Sequence, residues 1–188
     1  MRLNVLGTMA VTKAALPFML RQPRGGVVAV VSSVAGKVGS PVSASYAASK
    51  HALQGFVDSA RMELQGRGVR FVSLCPGPVQ GAPTRAGAGA DASADADAER
   101  GTRMAPERCA ALMCAAVHAE LEESWLAPQP VLLFVYIGQY MRWLYFFLGP
   151  SIGRRRVDAF ERDGSTSYRA VANVFGVMGE AAAARKAE

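Results

Sequence analysis

The sequence predicts an α/β fold, a parallel sheet flanked by helices and followed by an aromatic helical segment. Three observations lead there. The run Gly26-Val-Val-Ala-Val-Val31 is β-branched without alternation, the habit of a strand covered on both faces. A helical stretch from about Ser43 to Gln65 follows it and meets stop signals at Gly66 and Gly68. Val69-Arg-Phe-Val-Ser-Leu-Cys75 is then the next strand, closed by Pro76-Gly77-Pro78. Strand, helix, strand in this order makes a right-handed parallel crossover.

The elements follow in chain order. Met1 to Arg21 reads as a helix through Leu3, Leu6, Met9, Val11, Leu16 and Leu20, with Pro17 kinking it or marking an irregular last turn. No basic, apolar and cleavage regions precede it, so no secretory signal is expected. Opening within a helix suggests an N-terminally truncated domain, a single one over residues 1–188. Residues 81–101 are rich in Gly, Ala, Ser and Asp and read as a flexible loop. The G-x-G-x-x-A run at 87–92 lies inside that loop, not between a strand and a helix, and reads as a compositional accident. Pro106 starts a helix to about Glu123, and Trp125 to Leu132 is a possible third strand. Seven of the chain's fifteen aromatics crowd into residues 131–149. As one helix, this segment puts Tyr136, Tyr140, Trp143 and Phe147 on a common face, with Gln139 and Arg142 pointing away. It suits a helix lying in a membrane interface, a core or subunit-contact helix, or a marginal membrane span. Beyond Asp163 the pattern is ambiguous, with helix favoured over 181–185.

Composition narrows the function classes. About half of the 188 residues are apolar, enough for a sizeable core. The net charge of +6 is uneven: Arg154-Arg155-Arg156 and the last residues are basic, whereas 91–99 is acidic. No nucleic-acid-binding module accompanies the basic residues, which read as a solvated surface or a flank near a membrane. Cys75, Cys109 and Cys114 have no metal-ligand spacing and read as small buried residues in a reducing compartment.

Tyr46-Ala-Ala-Ser-Lys50, with Ser32-Ser33 thirteen residues upstream at the end of the first strand, carries the chemistry. A phenol is a poor acid at neutral pH, its ordinary pKa being about 10. A lysine one helical turn on favours the phenolate and brings the phenol toward working range. A serine at a strand end can hold a substrate oxygen near that phenol. The serine and the Pro76-Gly77 turn both fall at strand carboxyl ends, where open α/β sheets bind ligands. Ser33 is the candidate and Ser32 the runner-up. Ser45, Ser49 and His51 read as helix-surface or packing residues.

Asn4 in Leu3-Asn-Val-Leu-Gly7, the Ser33/Tyr46/Lys50 set and Pro76-Gly77-Pro78-Val79 together resemble short-chain dehydrogenases/reductases. Arg108-Cys109, Gln129-Pro130 and Gln139-Tyr140-Met141 narrow the resemblance to one branch of that family. It covers residues 1 to about 170 and implies the C-terminal portion of a Rossmann-type doubly wound sheet. It also implies interconversion of an alcohol and a carbonyl with NADP(H), NAD(H) not being excluded, on a lipophilic steroid- or retinoid-like substrate. Tyr46 would be the acid/base. Lys50 would lower its pKa and bind the nicotinamide ribose, Ser33 would hold the substrate oxygen, and Asn4 would keep a water in the proton relay. Pro76, Gly77 and Val79 would line the nicotinamide side. The family's T-G-x-x-x-G-x-G and N-N-A-G motifs occur nowhere in these residues, and the threonine after Pro-Gly-Pro-Val is displaced, Thr84 being nearest. A catalytically inactive fragment that keeps dimerisation or membrane-binding surfaces is therefore the alternative. The resemblance further implies association with the endoplasmic reticulum membrane, with the cytoplasm as alternative, a possible homodimer through the helices of Asn4 and Tyr46, and no nucleic acid or metal.

Overall fold

The computed structural model describes residues 1–81 and 103–163. Thr84, the G-x-G-x-x-A run, all of the expected 81–101 loop beyond Gly81, and the tail after Asp163 lie outside them. The chain forms two compact units, one of residues 1–77 and 106–126 and the other of residues 78–105 and 127–188.

The first unit is the α/β layer. Strands β1 (Gly26–Val31), β2 (Val69–Pro76) and β3 (Glu123–Leu126) form a parallel sheet in the order β1-β2-β3. The β1–β2 register runs from Gly26 opposite Val69 to Val31 opposite Leu74. A π-helical turn, Arg2–Gly7, leads into helix α1 (Thr8–Arg21), which contains Pro17. Helix α2 (Ala44–Glu63) connects β1 to β2, and α3 (Pro106–His118) precedes β3.

The two-residue period of the strands decides which helix covers which face. Val28 and Val30 of β1 and Val69 and Phe71 of β2 pack with Leu53, Val57 and Ala60 of α2 and with Leu16, Met19 and Leu20 of α1. Val27, Val72 and Leu74, on the opposite face, pack with Met113, Ala116 and Val117 of α3. Helices therefore pack on both faces of the sheet, but β1 is not covered on both faces as its unalternating sequence predicts: Ala29 and Val31, on the face of Val27, are exposed because α3 packs over β2 and reaches β1 only at Val27. Arg2–Arg21 is long and apolar enough to cross a bilayer by length and composition, yet its carboxyl end is seated on this sheet.

Three boundaries depart from the sequence-based expectation. The third strand is Glu123–Leu126, not 125–132, because Pro128 and Pro130 have no N–H for the ladder. Helix α3 stops at His118 and not near Glu123, because Glu120 adopts a left-handed backbone, φ 53°, that ends the helical turn. The aromatic segment is two helices, not one. Met141 leaves helical geometry at φ −128° and ψ 59°, separating α4 (Val131–Tyr140) from α5 (Arg142–Asp163).

These two helices dominate the second unit. Val131, Phe134, Val135 and Ile137 of α4 and Ile152 of α5 are buried, and the Phe134 and Tyr145 rings meet at 5.1 Å. Tyr136, Tyr140, Trp143, Phe146 and Phe147 are exposed instead. Arg142 does not project free of the aromatics: its guanidinium lies over the Tyr145 and Phe146 rings. Val79 also belongs to this unit, in a bridge with Met104.

Candidate active site

The carboxyl ends of β1 and β2 meet the amino-terminal turns of α2, and a close approach makes this junction possible. The 3₁₀ turn Val34–Gly36 follows β1, and a Cβ on Gly36 would stand 2.9 Å from both the Lys50 carbonyl oxygen and Ser32 Oγ. Only glycine admits the helix this near. Ser32 Oγ then donates to the Lys50 carbonyl at 3.3 Å, pinning the strand end to α2.

Tyr46 and Lys50 lie one turn apart on α2, as their spacing requires. The Lys50 ammonium is 5.6 Å from the centroid of the Tyr46 ring. It donates to the Val31 carbonyl at 2.9 Å. The N–H groups of Gly26 and Ser32 reach β2, so by parity the Val31 carbonyl points to the outer edge of β1. Lys50 thus caps a sheet-edge acceptor at the side of the candidate acid/base. Burial lowers its pKa from the ordinary lysine value, and the negative charge of Cys75 as a thiolate opposes that in part. Tyr46 itself remains 37% exposed.

The two serines are distinguished by their partners. Ser33 caps the 3₁₀ turn: its Oγ accepts the Ala35 N–H at 3.2 Å and donates to the Pro76 carbonyl at 3.3 Å. It therefore faces the Pro76-Gly77 turn, which is itself held by the Gly77 N–H on the Leu126 carbonyl at 2.8 Å. Ser32 faces the helix backbone and is consumed there. Asn4, in the π-helical turn, donates through Nδ2 to Ser49 Oγ at 3.1 Å, and Ser49 Oγ donates to the Tyr46 carbonyl at 2.7 Å. The structure thus ties Asn4 to Tyr46 through one hydroxyl, and Ser33 to Pro76. Val79 stands in the other unit.

Several of these contacts escape sequence reasoning. Ser49 reads as packing but is a buried hydrogen-bonded link. Gln54, two turns after Tyr46 on the same stripe, donates to Cys75 Sγ at 2.8 Å and accepts from Ser73 Oγ at 2.7 Å, all three being buried. Cys75 is therefore a polar partner, its thiol pushed up by burial. Cys109 is a small buried residue as expected, whereas Cys114 is exposed. His51 is on the helix surface with Nδ1 against the Ala47 carbonyl. Among the described residues, no group of three or more His, Cys, Asp or Glu is placed to hold a metal ion. A half-open cleft of about 590 Å³, lined by Arg24, Arg61, Met62, Arg70 and Glu122 among others, opens at the amino ends of the strands. It is at the opposite end of the sheet from Tyr46, and Asp58 and Glu120 already engage its Arg61 and Arg70.

Comparison with known proteins gives a consistent result. The family description "short chain dehydrogenase" matches residues 1–92. Human dehydrogenase/reductase SDR family member 7 is 34% identical over 171 residues, which are 88% of this chain and 50% of that protein. The mouse protein of the same name is 34% identical over 164 residues, 86% of this chain and 48% of its own length. The chain spans about half the length of the curated relatives it matches. A short chain dehydrogenase from Burkholderia cenocepacia in complex with NADP is similar in fold, with a TM-score of 0.60 at 24% identity over 78% of this chain and 56% of that one. An alcohol dehydrogenase from Thermococcus sibiricus complexed with 5-hydroxy-NADP reaches a TM-score of 0.52 at 25% identity, covering 67% of this chain and 51% of that chain.

Proposed function

The chain belongs to the short-chain dehydrogenase/reductase family, and from that premise we propose that it carries the acid/base side of a site that interconverts an alcohol and a carbonyl with NADP(H). The observation that carries this reading is the Lys50 ammonium beside the Tyr46 ring at the strand carboxyl ends. When bound, the nicotinamide would supply the hydride to the carbonyl carbon, or take it from the alcohol carbon. Tyr46 gives a proton to the carbonyl oxygen, or takes it from the alcohol. Lys50 holds its charge beside the Tyr46 ring and offers further N–H donors to a ribose hydroxyl. Ser33 hydrogen-bonds the substrate oxygen on exchanging its Pro76 acceptor for it. Asn4 would keep a water in the proton relay to Lys50.

The residues present fit the nicotinamide side of such a cofactor. Tyr46, Lys50, Pro76 and Gly77 gather at one sheet end, and Val79 follows three residues after Pro76. None of the described helices opens on a glycine-rich turn that would seat a pyrophosphate. The cofactor class follows the NADP analogue on the Thermococcus sibiricus relative. A lipophilic substrate is in keeping with the exposed rings of the second unit.

The test is a chimera in which this chain follows the amino-terminal segment of the human relative. Carbonyl reduction with lipophilic ketones at the expense of NADPH, lost on Tyr46→Phe, is the expected outcome. A chimera that binds NADPH yet turns over equally with Tyr46→Phe would overturn the assignment. The chain alone is expected to bind NADPH weakly or not at all. Low-micromolar binding by titration calorimetry would contradict that and show a phosphate site elsewhere.

A second reading concerns location. The corner between α4 and α5 exposes Tyr140 (75%), Trp143 (70%), Phe146 and Phe147 (75%), and Arg154 and Arg155 follow on the same helix. Exposed Trp and Tyr beside arginines match the headgroup level of a bilayer, with the helices lying in the interface.

A further inference from the structure

We infer that Ser49 is a positioning residue for Tyr46, and that Asn4 acts on the tyrosine through it. Ser49 is only 1% exposed, and its hydroxyl is used in both directions. It donates to the Tyr46 carbonyl at 2.7 Å and accepts from Asn4 Nδ2 at 3.1 Å. A hydroxyl has one proton to give, so this one is committed to the backbone of the residue whose phenol does the chemistry. Serine bonding back to a carbonyl three residues earlier tilts the helical turn it belongs to. Here that turn carries Tyr46 and is the first full turn of α2, where few preceding hydrogen bonds hold the backbone.

The other end of the link is fixed as well. Asn4 belongs to a π-helical turn, a local widening of the helix that is frequent at functional sites. Thr8 Oγ1 donates to the Asn4 carbonyl at 2.8 Å, anchoring that turn to the start of α1. The path Thr8, Asn4, Ser49, Tyr46 therefore ties the start of the chain to the backbone beneath the phenol. On the opposite flank, Ser32 holds the Lys50 carbonyl. The first turns of α2 are pinned from both sides, which fixes the separation of Tyr46 from Lys50. Alanine at 49 frees the Asn4 amide and lets the turn relax, without removing any group that touches a substrate.

The inference rests on Tyr46 as the acid/base, but its test does not. The 188-residue chain, labelled with carbon-13 and nitrogen-15, is examined by NMR with wild-type, Ser49→Ala, Ser49→Thr and Asn4→Ala sequences. The readouts are the Tyr46 ring to Lys50 side-chain Overhauser contacts and the hydrogen-exchange protection of the Asn4 side-chain amide. Ser49→Ala is expected to weaken those contacts at least twofold and to abolish the protection. Ser49→Thr, whose hydroxyl can also bond back within a helix, restores both. Asn4→Ala weakens the ring contacts in the same direction while keeping the Ser49 hydroxyl, and so stands in if Ser49→Ala does not fold. Unchanged Tyr46–Lys50 contacts in either alanine variant overturn the inference. In the chimera described above, Ser49→Ala should lower kcat by about tenfold at unchanged KM, roughly the cost of one misplaced hydrogen-bonded group. Loss of KM alone would also overturn it. A chimera inactive with every residue at position 49 would reject the oxidoreductase assignment, while the NMR outcome would still decide the role of Ser49.

Discussion

At the scale of the residue, the site is defined by what each polar group already holds. Tyr46 is partly exposed beside a lysine whose ammonium is engaged by a strand-edge carbonyl. In the active chimera, Tyr46→Phe should lower turnover by about 10²–10⁴-fold, the usual worth of a general acid/base, with NADPH affinity nearly unchanged. Retention of more than about a tenth of the rate would count against the phenol. Lys50 gives a pH signature in the chain itself. Burial lowers its pKa below 10.5, so between the folded and unfolded values the unfolded chain binds the additional proton. Stability from this group therefore rises with pH through that window, and a constant penalty remains at lower pH, where both states are charged. Lys50→Met removes the penalty. Its melting temperature relative to wild type should be most favourable near neutral pH and decline as pH approaches 10.5; a difference independent of pH would reject the desolvation. The placement of Tyr46, Lys50 and Ser33 at the carboxyl end of the strands was legible because helical and strand periods fix those positions locally. The preference for Ser33 over Ser32 gains a physical basis only in three dimensions, where one faces the Pro76 turn and the other the helix backbone. Ser49 was illegible because its partner is forty-five residues away in sequence and no local pattern marks it.

At the scale of the element, close backbone approach and buried polar bonding hold α2 to the sheet. Gly25, at φ 66°, meets the Gly68 carbonyl so tightly that a Cβ would sit 1.6 Å from its oxygen. Gly25→Ala must separate the first residues of β1 and β2 and is expected to cost about 3 kcal/mol or more, at the upper end of single substitutions. Urea denaturation would check it, and a loss under about 1 kcal/mol would mean that the strand start yields. The Gln54, Ser73 and Cys75 triangle does for the middle of α2 what Ser32 does for its beginning. Gln54→Leu leaves Ser73 without its amide acceptor and should cost about 1–3 kcal/mol. Gln54→Glu should cost at least as much, since a carboxylate there cannot donate to Cys75. Strand β1 and helix α2 were readable to within two residues, because a β-branched run and glycine stops act over short distances. The end of α3 and the extent of β3 were not. The left-handed Glu120 carries no glycine to announce it, and the apolar sequence from Trp125 to Leu132 looks continuous although Pro128 and Pro130 break it. The break at Met141 was hidden likewise, since neither glycine nor proline stands at 140–142.

At the scale of the whole molecule, the distribution of aromatics is the feature that a sheet with its helices does not account for. Val131, Phe134, Val135 and Ile137 are buried as core residues are, whereas the outer rows of α4 and α5 put Tyr136, Tyr140, Trp143, Phe146 and Phe147 into solvent. A single large apolar side chain at a surface is ordinary, but a cluster of rings on adjoining turns marks a contact surface. Both tryptophan and tyrosine favour the headgroup region, where the ring body is in an apolar layer and the polar edge is wet. Arg154 and Arg155, exposed beyond Pro150 on α5, add roughly 1 kcal/mol each near an anionic leaflet. Arg142 already lies over two rings and needs no burial of a bare charge. Such a surface would bring a lipophilic substrate and the protein into the same layer, which links location to the proposed chemistry. The chain is therefore expected to float with liposomes, more fully with anionic than with neutral lipid. Trp143→Ser combined with Phe147→Ser should lower recovery in the lipid fraction at either composition, since it removes two of the most exposed rings without touching buried Phe134, Val135 or Ile152. Arg154→Gln with Arg155→Gln should act on anionic vesicles alone and lose its effect at high salt, where exposed charges are screened. Equal soluble recovery of wild type and the double serine variant would reject the membrane surface and assign these rings to a substrate approach or to a contact between protein subunits.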